Sequence, residues 1–169
     1  NEGQPYFTEE ELQSGTSYYI SLSELDSLGR CGSNIMAFCS SDMPTEERES
    51  IGNIKPTGWN QAKYDPALTE SDSPFYQNRC HILCFAASGL NSEVRNLITG
   101  TRAFNLAMLS YFEEPLLKYL EDNPNMHVLY RGTPIFVNDE LMARGIHDIK
   151  RYMDVFCLRH GHTSLTFLK

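Results

Sequence analysis

The segment at residues 76–85 constrains the fold most, because mostly apolar side chains occupy both of its alternating sets of positions. The two interleaved sets are Cys80, Ile82 and Cys84, and His81, Leu83 and Phe85. This alternation predicts a β-strand that is at least half buried on both faces. Packing on both sides would hold His81 in one rotamer, and histidine is the most frequent general base at neutral pH. The alternative is a core histidine whose ring is satisfied by hydrogen bonds.

A helical pattern begins at Arg102, after a polar connection. Side chains from that point recur at spacings of three or four: Asn105, Leu109, Phe112 and Leu116. The spacing predicts an amphipathic helix. Ser110 and Glu113 have the separation of a capping box, and Pro115 cannot lie in an undisturbed helix interior. The helix is therefore expected to kink near Ser110 or to restart there.

Strand-like segments lie on both sides of this region. They are residues 17–20, 127–137, 146–153, 155–159 and 164–168, where residue types favour strands. Residues 21–28 begin with serine, carry acids early and end before a glycine, as a short capped helix does. Residues 40–75 contain many prolines and glycines and are predicted to be largely loop.

A length of 169 residues predicts one domain with a single substantial core. Hydrophobic residues make up 41% and charged residues 21% of the chain, which favours a globular protein over a disordered one. No apolar run approaches the ~20 residues of a transmembrane helix, so no membrane segment is expected. The chain starts at Asn1 without a methionine or an apolar leader, which indicates a processed start and is compatible with secretion.

The net charge of −8 argues at first against a nucleic-acid partner, because phosphate contacts need lysine and arginine. The excess of acidic residues is local, however. Residues 1–50 carry ten acids and two bases, whereas residues 51–169 carry twelve of each. A locally basic cleft in the second part is therefore compatible with the composition.

Four residues of the second part are candidates for contact with nucleic acid. Lys55 and Trp59 place a cation beside an indole, as phosphate contact and base stacking require. The alternative for Trp59 is a buried anchor of the long loop. Arg102 and Arg131 are weaker candidates for phosphate binding.

Five cysteines leave at least one thiol unpaired in a monomer. Cys31 and Cys39 are close enough in sequence to close a short loop, and Cys80 or Cys84 could pair with Cys157. A zinc site is the alternative, although the C-x-x-C spacing is missing. Its ligands would be Cys80, Cys84, Cys157 and either His160 or His162.

Asn78, Arg79, Cys80 and His81 resemble the Asp-Arg-Gly-His signature of the DNA/RNA non-specific endonuclease family, also called ββα-metal or His-Me finger nucleases. Residues 96–105 resemble that family's metal-binding segment. Further similar segments follow in the same order over most of the chain: residues 28–32, 43–45, 54–59 and 128–134. The resemblance is greatest to secreted bacterial DNases and DNA-entry nucleases.

The resemblance implies an α+β fold with a central antiparallel sheet and flanking helices. We expect a single nuclease domain over residues 1–169, with an acidic N-terminal part at 1–50 and a ββα-metal core at 76–123. It also implies a secreted or cell-surface protein.

The resemblance further implies a role for each matching residue. His81 would be the general base that activates water, and Asn105 the direct ligand of Mg²⁺, which Mn²⁺ could replace. A neutral amide oxygen suits a hard cation that keeps several waters, and such a cation would stabilise the leaving 3′ oxygen. Glu113 would orient metal-bound water, or act as a helix-cap carboxylate. Asn96 would fix loop geometry or approach the substrate, and Arg79 would contact phosphate or lock the strand through ion pairing.

Two residues depart from the family signature. Asn78 replaces the aspartate, so a neutral amide must supply its hydrogen bonds. Cys80 replaces the glycine, which would be costly if the backbone required a positive φ. Neither change removes the expected base or metal ligand.

The expected function is Mg²⁺-dependent hydrolysis of DNA, and of RNA where it is accepted, with little sequence preference. An inactive nuclease-like domain that binds nucleic acid or a partner protein is the alternative. A zinc-stabilised interaction module is a third reading.

Overall fold

The computed structural model describes residues 7–45, 47–60, 63 and 75–153 of the chain. Two predicted strands and three predicted thiol or metal partners lie outside these residues: 155–159, 164–168, Cys157, His160 and His162. The described residues form an α+β fold with antiparallel strands, as predicted. None of their helices is long and apolar enough to cross a membrane.

The described strands form two separate antiparallel sheets. The larger sheet contains β1 (Tyr19–Ser21), β2 (Asn34–Phe38), β5 (His127–Ile135) and β6 (Gly145–Met153) in that spatial order. The smaller sheet pairs β3 (Gln77–His81) with β4 (Leu97–Thr101), and His81 lies opposite Leu97.

Four α-helices and two short 3₁₀ turns accompany these strands in the described part of the chain. The helices are α1 (Glu9–Ser14), α2 (Phe85–Ser88), α3 (Arg102–Met108) and α4 (Glu114–Asp122). The 3₁₀ turns are Ser40–Asp42 and Val94–Asn96. A π-helical turn, Leu109–Glu113, joins α3 to α4.

One face of the larger sheet packs against α2 and α4. Met36 and Phe38 of β2 and Val128 and Tyr130 of β5 point to this face, as the two-residue period of a strand requires. They share one buried cluster with residues of the helices and the turn after β3: Leu83, Cys84, Ala87, Leu116 and Leu120. Burial of each large apolar side chain contributes about 1.5–3 kcal/mol. The cluster therefore fixes the turn after His81 to the sheet.

The helical stretch from α3 to α4 contains the disturbance that Pro115 predicts. Oγ1 of Thr101 accepts a hydrogen bond of 3.0 Å from the backbone nitrogen of Phe104 and caps the start of α3. Pro115 lies in the first turn of α4 and lacks the amide donor of a continuous α-helix. The wider π-helical turn accommodates that loss. The predicted disturbance near Ser110 is present as this π-helical turn, but the capping box is wrong because no helix begins at Ser110.

The short helix predicted at residues 21–28 is wrong, because Asp26 holds an irregular turn instead. Its Oδ1 accepts hydrogen bonds of 2.9 Å from the backbone nitrogens of both Leu28 and Arg30. Its Oδ2 accepts another of 2.8 Å from Nε of Arg30. Such bonds from a side chain to the nearby backbone compete with helix formation.

The proposed link between Cys31 and Cys39 is also wrong. Both thiols are free, and the residues lie beyond opposite ends of β2. A strand of that length spans about 16 Å, whereas disulfide-bonded Cα atoms lie within about 7 Å of each other. Cys80 and Cys84 are buried free thiols in two different core clusters. Among the described residues, no group of three or more His, Cys, Asp or Glu side chains could hold a metal ion.

Candidate active site

A loop at residues 47–60, here called the strap, lies across one face of β3. Gln77, Arg79 and His81 alternate along the strand and therefore point to this face. Nε2 of Gln77 donates to the carbonyl of Gly58 at 3.1 Å, and its Oε1 accepts from the backbone nitrogen of Asn60 at 2.9 Å. Gln77 thus holds the C-terminal end of the strap.

Arg79 holds the middle of the strap. Its Nε donates to the carbonyl of Ile54 at 2.5 Å, and its Nη2 donates to the carbonyl of Gly52 at 2.7 Å. The guanidinium carbon lies 3.9 Å from the centre of the Trp59 ring. Arg79 was expected to contact phosphate or to lock the strand through ion pairs. Its observed partners are carbonyl oxygens and an indole.

Trp59 is half-buried, and the Arg79 guanidinium covers one face of its ring. Its Nε1 is buried and has no hydrogen-bond partner within the described residues. The covered face cannot stack on a nucleic-acid base. The geometry therefore fits the loop-anchor alternative better than base stacking.

His81 ends β3 and is only 7% exposed. Its Nε2 lies 3.0 Å from the carbonyl oxygen of Asn91, and its Nδ1 lies 3.4 Å from Nη2 of Arg48. A carbonyl oxygen only accepts hydrogen bonds, so Nε2 carries the proton of the neutral ring. A guanidinium only donates, so Nδ1 offers it the lone pair. The imidazole is thus held with its basic nitrogen towards Arg48.

The surroundings of His81 favour the neutral ring. Burial lowers the pKa of His81 below its ordinary value, the Asn91 carbonyl opposes this shift, and the charge of Arg48 adds to it. A general base must be unprotonated to accept a proton. The environment therefore keeps the ring in its basic form to lower pH than a free histidine.

Arg48 is the site residue that the sequence interpretation missed. It is the one basic residue between positions 31 and 54, in an acidic region that argued against anion contact. Its guanidinium lies beside His81 and 5.7 Å from the centre of the Phe85 ring. This isolated cation among acids was the available sequence signal.

Glu113 ends the π-helical turn and lies within electrostatic range of Arg48. Burial raises the pKa of the Glu113 carboxyl, Arg48 lowers it, and Glu114 raises it. Burial, partly opposed by a hydrogen bond from the Gly100 backbone, raises the pKa of the Cys80 thiol to about 12, and Glu113 adds to the rise. The structure thus brings Glu113, Arg48 and the end of β3 together.

Asn105 lies one turn into α3, on the same helical stretch as Glu113, and is half-buried. Its side chain makes no hydrogen bond to the described residues, so its amide oxygen is available to a ligand. Glu113 follows eight residues later, and because the stretch between them includes the π-helical turn, the rise of ~1.5 Å per residue of an α-helix gives an upper bound of about 12 Å for their separation along the axis. Amide and carboxylate oxygens are the donors that a hard divalent cation prefers, and this donor set fits such an ion.

Asn96 is completely buried beneath the site. Its Oδ1 accepts from the backbone nitrogen of Leu83 and its Nδ2 donates to the Leu83 carbonyl, both at 2.9 Å. Nδ2 of Asn34 also donates to Oδ1 at 3.3 Å. A side chain with 0% exposure cannot reach substrate. These contacts match the expectation that Asn96 fixes loop geometry.

The three candidate phosphate contacts lie in different places. Lys55 on the strap and Arg102 at the start of α3 are both exposed. Arg131 of β5 forms an ion pair with Glu11 and lies 5.1 Å from the centre of the Phe7 ring.

Arg131 lies on the far face of the larger sheet. The preceding residue, Tyr130, points towards the site and donates from its hydroxyl to the carbonyl of Ile82 at 3.0 Å. Successive strand residues point to opposite faces. The structure therefore does not bring Arg131 to His81.

The substitution of Cys80 for the signature glycine carries no backbone penalty. Cys80 lies within β3, and the non-glycine residue with a positive φ in the described chain is Asn138. Gly100 on the neighbouring strand β4 matters instead, because a Cβ there would lie 2.7 Å from both Sγ of Cys80 and a ring carbon of Phe104. The cysteine thus fills the space that Gly100 leaves.

The family model described as DNA/RNA non-specific endonuclease matches residues 10–151. Among proteins with curated descriptions, none has a significantly similar sequence.

Several solved nuclease structures have the same fold. NucA from Streptococcus agalactiae with a magnesium ion bound is 21% identical with a TM-score of 0.66, and the match covers 80% of this chain and 65% of NucA. Sda1 nuclease with a bound zinc ion is 21% identical with a TM-score of 0.64, covering 82% and 71% of the two chains. A protein described as an extracellular endonuclease is 23% identical with a TM-score of 0.62 over 82% of this chain. The present chain spans 64% of the length of that protein.

Proposed function

Since the chain belongs to the DNA/RNA non-specific endonuclease family, we propose that it hydrolyses phosphodiester bonds within DNA, and within RNA where the cleft accepts it. The observation that carries the proposal is that both ring nitrogens of His81 have a defined partner. Its Nε2 proton is engaged by the Asn91 carbonyl and its Nδ1 faces a guanidinium. An orienting acceptor on one nitrogen and an unprotonated second nitrogen, held here by only a long contact with Arg48, is the arrangement that a general base needs.

His81 is the base in this proposal. Nδ1 takes a proton from a water that attacks the phosphorus, and the Nε2 hydrogen bond to Asn91 helps to stabilise the resulting imidazolium. The lowered pKa of His81 supports this role, because the ring stays neutral to lower pH than an ordinary histidine. Burial of the ring supports it as well, because packing keeps the imidazole in one orientation.

Arg48 binds the scissile phosphate in the same proposal. Its contact with Nδ1 is long, at 3.4 Å, whereas guanidinium and phosphate form short charge-assisted pairs. Phosphate would therefore draw the guanidinium away from His81 and leave Nδ1 to water. Lys55 and Arg102, both exposed, are proposed to contact phosphates farther along the strand.

Asn105 and Glu113 are proposed to hold a divalent cation, with Asn105 as direct ligand and Glu113 acting through water. Mg²⁺ is the preferred ion because the available donors are oxygens, and Mn²⁺ is expected to substitute. When bound, such an ion supplies positive charge that stabilises the leaving 3′ oxygen. The magnesium and zinc ions in the NucA and Sda1 structures support a divalent cation here.

The proposal includes an extracellular location. It is supported by similarity to proteins described as an extracellular endonuclease and an extracellular nuclease.

The test is a nuclease assay on supercoiled plasmid, linear double-stranded DNA, single-stranded DNA and RNA. Each substrate is incubated with Mg²⁺, Mn²⁺, Zn²⁺ or EDTA. We expect cleavage of at least plasmid DNA with Mg²⁺ and none in EDTA, with little preference among cut sites. Failure to cut any substrate with any of the ions would overturn the proposal and favour a domain that only binds nucleic acid.

A further inference from the structure

Asn91 contacts both the His81 ring and the strap, through different atoms. Its backbone carbonyl oxygen accepts from Nε2 of His81 at 3.0 Å. Its side-chain Nδ2 donates to the carbonyl of Glu49 at 2.9 Å, and Glu49 is the strap residue next to Arg48. One residue in the loop after α2 therefore joins the strand that carries the base to the strap that carries the guanidinium.

The side chain of Asn91 is half-buried, and its two polar atoms differ in their surroundings. Its Oδ1 is buried and has no hydrogen-bond partner within the described residues. A buried acceptor without a partner destabilises the fold, and an apolar side chain would avoid that cost. The hydrogen bond that this side chain does make is through its donor group, which reaches the Glu49 carbonyl.

The other anchors hold strap residues that are farther from Arg48 along the chain. Arg79 holds Gly52 and Ile54, and Gln77 holds Gly58 and Asn60. The Asn91 amide thus fixes the end of the strap from which Arg48 reaches the imidazole.

We infer that Asn91 is a positioning residue that sets the distance between the His81 imidazole and the Arg48 guanidinium. Its effect on catalysis rests on the proposed function. The backbone carbonyl orients the ring, and the side-chain amide holds the strap. The two actions are separable, because alanine at this position keeps the carbonyl and loses only the amide.

Asn91→Ala is expected to lower kcat about tenfold, as loss of one hydrogen bond that positions a catalytic group does. It is also expected to move the acid limb of the pH profile to higher pH. The charged groups that face the imidazole are Arg48 from the strap and, beyond it, Glu113 from the π-helical turn. When the strap is released, Arg48 no longer opposes protonation of His81.

A double-mutant cycle with Arg48→Ala tests the inference. If Asn91 acts through Arg48, Asn91→Ala has no further effect on kcat or on the acid limb in the Arg48→Ala background. Ser92→Ala, an exposed neighbour in the same loop, is the matched control and should behave as wild type. Equal effects of Asn91→Ala in both backgrounds, or wild-type kcat in the single variant, would overturn the inference.

An NMR titration of the His81 ring keeps the test independent of nuclease activity. The His81 resonances are assigned by comparison with His81→Ala. The inference expects a higher His81 pKa in both Asn91→Ala and Arg48→Ala than in wild type. An unchanged value in Asn91→Ala overturns it, even if the protein cuts no nucleic acid. If Asn91→Ala does not fold, Asn91→Asp keeps the shape of the side chain and removes the donor. Its kcat is then measured with Arg48 present and with Arg48→Ala, and the same comparison tests the inference.

Discussion

Nη2 of Arg48 lies 3.4 Å from Nδ1 of His81, so the strap presents a cation to the lone pair of the imidazole. The two residues are 33 positions apart in the chain. The charge of Arg48 adds to the lowering of the His81 pKa that burial causes, and under the proposed function the same guanidinium binds the scissile phosphate.

Replacement of Arg48 should change the pH dependence of cleavage. Burial and the Arg48 charge lower the pKa of His81, so the acid limb of kcat/KM in the wild type should lie below the ordinary histidine value of about 6.5. Arg48→Ala removes a charge that opposes protonation, and the limb should move to higher pH, with Arg48→Lys in between. A limb that stays in place or moves to lower pH would contradict the placement of Arg48.

His81→Ala should remove most cleavage and leave the fold intact. A general base contributes about 10²–10⁴-fold to the rate, and alanine leaves no proton acceptor at this place. Plasmid nicking rates in Mg²⁺ measure the loss, and circular dichroism with thermal unfolding checks the fold. Activity within a few fold of wild type would exclude His81 as the base.

Asn105→Ala should raise the Mg²⁺ concentration needed for half-maximal cleavage. Loss of a single neutral ligand is expected to weaken binding of the ion by about tenfold, equivalent to about 1.4 kcal/mol. The measurement is a Mg²⁺ titration of the cleavage rate at fixed DNA. Ser110→Ala, an exposed residue of the π-helical turn, is the control. The same Mg²⁺ dependence in Asn105→Ala and wild type would remove Asn105 as ligand.

Arg79→Ala should lower stability because it releases the middle of the strap. Hydrogen bonds from a charged donor contribute about 1.5–3 kcal/mol each, and these contributions overlap, so we expect a loss of about 2–4 kcal/mol in the free energy of unfolding. Urea denaturation measures the loss. Asn53→Ala, exposed on the same strap, should change stability by less than about 0.5 kcal/mol. Arg79→Lys keeps the charge but cannot reach both carbonyls, so its free energy of unfolding should lie between those of wild type and Arg79→Ala. A wild-type value for Arg79→Ala would mean that the strap does not depend on this anchor.

Local patterns predicted the parts of the fold that depend on neighbours in sequence. The alternation around His81 predicted a strand that is buried on both faces, and the spacing after Arg102 with Pro115 predicted a disturbed helix. Both are present. The helix predicted at residues 21–28 failed because Asp26 bonds its own backbone, which the capping pattern alone does not reveal.

The site was harder to predict because its contacts join distant segments. Arg48 reaches His81 through a loop that has no periodic pattern, so its isolation among acidic residues could mark it as unusual but could not place it beside His81. Arg131 was a candidate by residue type alone, and only the strand register assigns it to the far face of the sheet. Asn96 could have approached the substrate or fixed the loop, and its complete burial and its hydrogen bonds to Leu83 favour the second role.

Gln77, Arg79 and His81 occupy every second position of one strand, and each meets the strap at a different point. A slip of β3 by a single residue would turn all three away together. The strap would then lose two anchors at the same moment as the imidazole left the guanidinium. A misaligned chain could not retain partial activity. Cleavage should therefore appear only when β3 and β4 have reached their final pairing, which makes activity a direct reporter of completed folding.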